Sequence, residues 1–225
     1  MVKKRLIPKL LIKHRPMGTA VRPVLVTTQS FDDARDVGDP TSQAKIYEAQ
    51  LADELVVLNI DGTAIAGDDV MLGLIERLAS ETFMPLCVGG GVRNLEDFAT
   101  LLNCGADKVS INSPALDTPD LIGAAAARYG GQCVVVSIDF RRADDGEFVV
   151  MRDHAAVPTG RGVVDWAREA VDRGAGELML CDADRDGEGG GLNVDIGRAV
   201  ADAVSVPVIL SGGCGRAEHF VDGFQ

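Results

Sequence analysis

Seven short runs rich in Val, Ile and Leu, each ending in polar residues or glycine, alternate along this chain with stretches whose apolar residues recur at helical spacing. That alternation constrains the fold more than any other feature, because strand, helix, strand, helix is the pattern of a parallel sheet covered by helices. The runs are RLIPKLLIK, ELVVLNID, MPLCVGGG, DKVSIN, QCVVVSID, ELMLCDAD and VPVILSGG. Between them lie DPTSQAKIYEAQLA, DDVMLGLIERLASET, NLEDFATLLNCG, SPALDTPDLIGAAAARYG, GVVDWAREAVDRGAG and NVDIGRAVADAVS. Near-continuous apolar strands are those buried on both faces. With only short connections between them, an α/β fold closed into a barrel is expected, rather than an open doubly wound sheet, as one domain over residues 1–225.

An internal repeat sharpens the expectation. ELVVLNIDG at Glu54 echoes ELMLCDADRDG at Glu177, and MPLCVGGGV echoes VPVILSGGCG, both about 123 residues apart. RLIPKLLIK falls opposite QCVVVSIDFRR. The chain reads as two half-barrels in which DKVSINSP lacks a counterpart after Gln225, so the eighth βα unit is expected to be absent from this sequence.

Composition excludes some roles. A net charge of −12 argues against phosphate-backbone binding, which needs a basic face. The five cysteines (Cys87, Cys104, Cys133, Cys181 and Cys214) show no metal-ligand spacing and no disulfide framework, so reduced thiols and a cytoplasmic location are expected. The basic start MVKKRLIPKLLIKHRP has its apolar patch broken by lysine, and no signal peptide or membrane span is read there. No metal or cofactor is expected.

Barrel chemistry sits at the carboxyl ends of the strands. Gly89, Gly90 and Gly91 end one run, followed by Asn94 as a helix cap, and Gly212 and Gly213 end the repeat-related run. Backbone N–H groups exposed by glycine can cradle phosphate, whereas the plainer account is a pair of tight turns. Asn112 and Ser113 stand where they can supplement the first cradle or simply cap a helix. Two cradles on one barrel mouth point to a small molecule with a phosphate at each end. VVVSIDFRR delivers a carboxylate, Asp139, at a strand end, which either performs acid–base work or pairs with Arg141 or Arg142.

VGGGVRNLEDF, GADKVSINS, VVVSIDFRR, GAGELML, DRDG and SGGCGRAEHF, in this order from Lys4 to Phe224, resemble the cyclase subunit of imidazole glycerol phosphate synthase. The resemblance implies a TIM (β/α)8 barrel that uses ammonia from a glutaminase subunit docked at the opposite end. It also implies a bisphosphorylated ribonucleotide substrate with an open-chain ribulose arm. Asp139 matches one of the family's two catalytic aspartates. The other belongs on the first strand, where Leu11 stands, and an isobutyl group cannot transfer a proton. The segment HRPMGTAVRPVLVTTQSFDDARDVGDP reads as a flexible loop without the family's substrate-closing lysine. Asn59 replaces a family aspartate, and Cys181 and Asp182 replace two hydroxyl residues. Asp184 and Asp186 of DRDG remain as candidate catalytic partners of Asp139.

Arg5, Glu54, Lys108 and Glu177 match the charged ring that gates ammonia entry at the barrel bottom, where a structural salt-bridge ring is the alternative. With the ammonia side kept and one acid lost, LLIK and FMPLC resemble the paralogous subfamily associated with bacterial surface polysaccharides. The leading sequence reading is thus a synthase subunit supplying nitrogen for acetamidino sugars. The alternatives are the histidine-pathway cyclase and a non-catalytic barrel partner of a glutaminase.

Overall fold

A computed structural model describes residues 4–225. The chain divides into two compact units, the first running up to Thr27 and resuming over Arg35–Ile111, the second made of Thr28–Ala34 and Asn112–Gln225.

The N-terminal unit contains β1 (Lys9–Met17), β2 (Ala20–Gln29, its last residues in the other unit), β3 (Asp32–Gly38, likewise shared), α1 (Pro40–Ala49), β4 (Leu55–Asn59), α2 (Asp69–Glu81), β5 (Leu86–Gly89), α3 (Leu95–Asn103) and β6 (Lys108–Ile111). β1, β4, β5 and β6 pair side by side in parallel, in the register Leu11–Leu58, Leu58–Gly89 and Gly89–Ser110. Helix α2 buries Met71, Leu74, Ile75 and Leu78, the 3.6-residue stripe visible in its sequence. Helix α3 begins with a capping box in which Asn94 accepts from Asp97 N–H and Asp97 accepts from Asn94 N–H.

The segment expected to be a flexible loop is instead an antiparallel ribbon. β1 runs past Lys13 to Met17, turns through Gly18 at φ 66°, and returns as β2 with Met17 opposite Ala20. Ser30 and Phe31, both at positive φ (52° and 67°), then make a second two-residue turn into β3. Positive φ at both central positions is the primed turn that matches strand twist. Length and the β-branched run VLVTT favour strand here despite the polar composition.

The C-terminal unit contains α4 (Ser113–Asp117), α5 (Asp120–Tyr129), β7 (Val134–Arg142), β8 (Phe148–Arg152), β9 (Val157–Gly162), α6 (Val163–Asp172), β10 (Glu177–Asp182), α7 (Val194–Ala203), β11 (Val208–Ser211) and α8 (Ala217–Phe224). β7, β10 and β11 pair in parallel, with Asp139 opposite Cys181 and Cys181 opposite Ser211. A second antiparallel ribbon, β7–β8–β9, follows β7 as the first follows β1. The single helix expected from SPALDTPDLIGAAAARYG divides at Thr118–Pro119, where proline cannot continue the hydrogen-bond ladder. Trp166 of α6 is the largest buried side chain, with the Arg161 guanidinium 5.0 Å above its ring. α7 sits so close to β11 that a Cβ on Gly197 would lie 2.7 Å from Leu210. No helix among the described residues is long and apolar enough to cross a membrane.

Candidate functional site

At the carboxyl end of β7 the alternation of strand side chains places Asp139 and Arg141 on one face, since β7 continues through Arg142. Asp139 is buried, beside Cys181 in register, and Cys181 Sγ lies 3.7 Å from Ser137 Oγ. The Arg141 guanidinium goes elsewhere. It donates to Asp184 Oδ1 at 2.7 Å and to the carbonyls of Ser30 and Ala155. Arg142 donates its backbone N–H to Asp184 Oδ2 at 2.8 Å and turns its guanidinium to Gly146 O and over the Phe148 ring.

The candidate partners of Asp139 are therefore committed to other contacts. Asp184 is ion-paired to Arg141, while the buried Asp186 accepts from Thr28 Oγ1 at 2.6 Å and takes Ser30 N–H on its carbonyl. Phe31, next along the same turn, packs against Met151, Ala155 and Ala183. Asp186 thus ties down the tip of the first ribbon. Asp182, read from sequence only as a replacement for a hydroxyl, organises this loop. Its Oδ1 accepts the N–H groups of Asp184 and Arg185, and its Oδ2 accepts Asn193 Nδ2 at 2.7 Å. Asn193 in turn caps α7.

The same wiring occurs in the N-terminal unit with different residues. Asn59 Oδ1 accepts Asp61 N–H at 3.0 Å, and Asn59 Nδ2 donates to Asp68, the N-cap of α2. His14 N–H donates to Asp61 Oδ2 at 2.6 Å, and Lys13 Nζ lies 3.8 Å from Asp61 Oδ1. Asn59, Asp61 and Asp68 occupy the places of Asp182, Asp184 and Asn193, with the amide and the carboxylate exchanged between strand end and helix cap. That exchange explains Asn59. With Asp68 at the cap, a strand-end carboxylate would face a second carboxylate, and an amide donates to it instead. Asp61, Asp68 and His14 were missed in the sequence reading, although the echo of LNIDG in CDADRDG aligns Asp61 with Asp184.

Leu11 has no acidic neighbour in its row. Its register partner is Leu58, whereas the corresponding row of the other unit is Asp139, Cys181 and Ser211.

Gly90, Gly91, Gly212 and Gly213 all adopt positive φ (78° to 100°). A Cβ on Gly90 would sit 2.0 Å from Asn59 O, one on Gly91 1.8 Å from Thr63 O, one on Gly212 2.4 Å from Asp182 O, and one on Gly213 2.3 Å from Gly191 O. Gly89, at ordinary φ, packs against Ser110. Close backbone approach by itself requires these glycines, so β-branched replacements there report on folding before they report on a ligand. At the entry to α3 the N–H groups of Arg93 and Asn94 are already taken by Asp97 Oδ2. Ser113 Oγ accepts Asp153 N–H, holding the β8–β9 turn, while Asn112 Oδ1 is buried with no hydrogen-bond partner.

At the opposite, amino-terminal ends of the strands, Glu54 is buried between two cations. Arg5 Nη1 approaches Glu54 Oε2 at 2.6 Å and Lys108 Nζ at 2.8 Å. Glu177, at the start of β10, is likewise buried.

A family model described as histidine biosynthesis protein matches residues 5–225. The chain is 46% identical over 225 residues to a putative imidazole glycerol phosphate synthase subunit hisF2 of Prochlorococcus marinus (strain MIT 9313), covering 100% of this chain and 86% of that protein. It is 45% identical over 223 residues to the imidazole glycerol phosphate synthase subunit HisF of Gluconacetobacter diazotrophicus, covering 99% and 83%.

Proposed function

The chain belongs to the histidine biosynthesis protein family, as one of its HisF-like cyclase subunits, and from that membership we propose that it is the ammonia-using synthase subunit of a glutamine amidotransferase pair. The fold proposed is the family's TIM barrel built from two half-barrels, supported by the recurrence of strand, ribbon and helix order and of the Asn59–Asp68 and Asp182–Asn193 pairs. Asp139 is the proposed acid–base residue at the mouth. Gly89, Gly90, Gly91, Gly212 and Gly213, with Asn112, are the proposed surroundings of the two phosphates. Asp184 and Asp186 are the proposed partners of Asp139, and the ion pair and hydrogen bonds they make also hold the surrounding loops.

The proposed partner is a glutaminase. Arg5, Glu54 and Lys108 converge at the strand starts, and Leu51 and Phe83 stand 86% and 94% exposed in helix-to-strand connections at that end of the unit.

Sequence alone ranks the acetamidino-sugar substrate first. The names of both relatives reverse that order, and the bisphosphorylated nucleotide of imidazole glycerol phosphate synthase becomes the leading substrate. The sugar reading keeps one specific observation, the apolar row around Leu11 and Leu58. Complementation of a histidine auxotroph lacking its cyclase subunit, with the chain and its glutaminase supplied together, decides between them. Growth is the expected result. Failure to grow, with the pair well expressed, would move the chain to the sugar reading.

A further inference from the structure

The carboxyl ends of β1 and β4 carry a side-chain network to which the family resemblance assigns no role. His14 lies between two carboxylates, Nδ1 at 3.1 Å from Asp61 Oδ2 and Nε2 at 3.0 Å from Asp68 Oδ1. Asp68 is held from every side. Its Oδ1 also accepts Met71 N–H, and its Oδ2 accepts Asn59 Nδ2 and Thr63 Oγ1. Its side chain is 7% exposed, against 23% for Asp61. The three groups form a line from a buried, saturated carboxylate through an imidazole to a carboxylate that solvent and small molecules can reach.

Comparison with the C-terminal unit isolates what is special here. There Asp184 meets Arg141 and the Arg142 N–H, and no titratable ring intervenes between it and the helix cap. The N-terminal unit has Leu11 where the other has a carboxylate, and its first strand also carries an imidazole, His14, held between two carboxylates.

We propose that Asp61, His14 and Asp68 form a proton relay in which Asp61 is an acid–base group supplied by this unit. The proposal rests on the ammonia-dependent cyclase reading. Both ring nitrogens donate at once only as imidazolium. When ammonia adds to a carbonyl carbon, the C–N bond forms and the C=O π pair moves onto oxygen. That oxygen takes a proton from Asp61, which takes the Nδ1 proton of His14. The surplus proton on the new ammonium centre returns along the same line, so the ring and both carboxylates end as they began. Asp61 is the catalytic residue, and His14 and Asp68 act through it as positioning residues. The other charged groups around the ring are Lys13 and Arg15 on its own strand, Arg15 being paired with Asp36 of β3.

His14→Arg separates a relay from a clamp, because arginine offers donors to both carboxylates yet does not give up a proton near neutral pH. The assay is ammonium-driven turnover of the bisphosphorylated nucleotide at fixed free ammonia, across about pH 5 to 8. The relay predicts that kcat in His14→Arg falls by about 10²-fold or more while KM holds. A wild-type rate and profile in His14→Arg would reduce the ring to a structural clamp and overturn the relay while leaving the proposed function intact. A wild-type protein silent with ammonium at every pH would overturn the proposed function and the relay with it. If His14→Arg melts early, Asp61→Asn carries the test, since it leaves the His14–Asp68 contact in place. A loss of about 10²-fold with an unchanged melt supports the relay, and a wild-type rate overturns it.

Discussion

Asp139→Asn is expected to lower turnover with ammonium by about 10²-fold or more, with little movement of the melting temperature. The amide preserves the size and planarity of the carboxyl group at a buried position between Ile138 and Phe140, so packing survives while the titratable oxygen is lost. The plainer account, in which Asp139 only neutralises Arg141, has lost its main support, because Arg141 is paired with Asp184 at 2.7 Å. Steady-state kinetics beside a thermal melt distinguish the outcomes. A parental rate in Asp139→Asn would move the chain to a non-catalytic partner of a glutaminase.

Lys108→Met is expected to split the two nitrogen sources. Product formed from glutamine through the glutaminase subunit falls by about tenfold or more, which corresponds to about 1.4 kcal/mol on the coupled step, while free ammonium supports the parental rate. The choice of Lys108 follows from the geometry. Glu54 keeps Arg5 at 2.6 Å, so the substitution leaves that buried carboxylate a cation. Glu54→Leu, by contrast, removes the buried carboxylate that both Arg5 and Lys108 contact, so an effect on gating would be mixed with an effect on folding. Comparable loss with both nitrogen sources in Lys108→Met would mean that the charges form a structural ring.

The strands that build the parallel sheets were legible because each is a compact run of β-branched and aliphatic residues, as in VVVSID and ELVVLN. Their twin ribbons were not. HRPMGTAVRP and RADDGEFVVMRD are broken up by charge with proline or glycine, and their pairing depends on turns at Gly18 and at Ser30 and Phe31 in the first and at Gly146 in the second. At the site, Asp139 and the glycines stood out because position at a strand end is a local property. The partners of Asp184 and Asp186 did not, since Arg141 and Thr28 reach them across 43 and 158 residues of sequence. His14 was hidden for the same reason, its two carboxylates lying 47 and 54 residues away in a segment read as loop. The glycine pairs show the opposite limit. Sequence offered phosphate binding or tight turns, and the 2.0–2.4 Å approach of Asn59 and Asp182 carbonyls to the missing Cβ atoms makes the structural requirement explicit.

The proposed function requires that this chain alone performs an ammonia-dependent synthase reaction on a phosphorylated small molecule. The purified chain, given ammonium and the bisphosphorylated ribulose-bearing nucleotide with no glutaminase present, tests it most directly, with products followed by mass spectrometry. The expected result is imidazole glycerol phosphate, formed without glutamine and about 10²-fold or more faster than by Asp139→Asn. Unchanged nucleotide at high ammonium, from protein that is folded and binds the nucleotide, would contradict it.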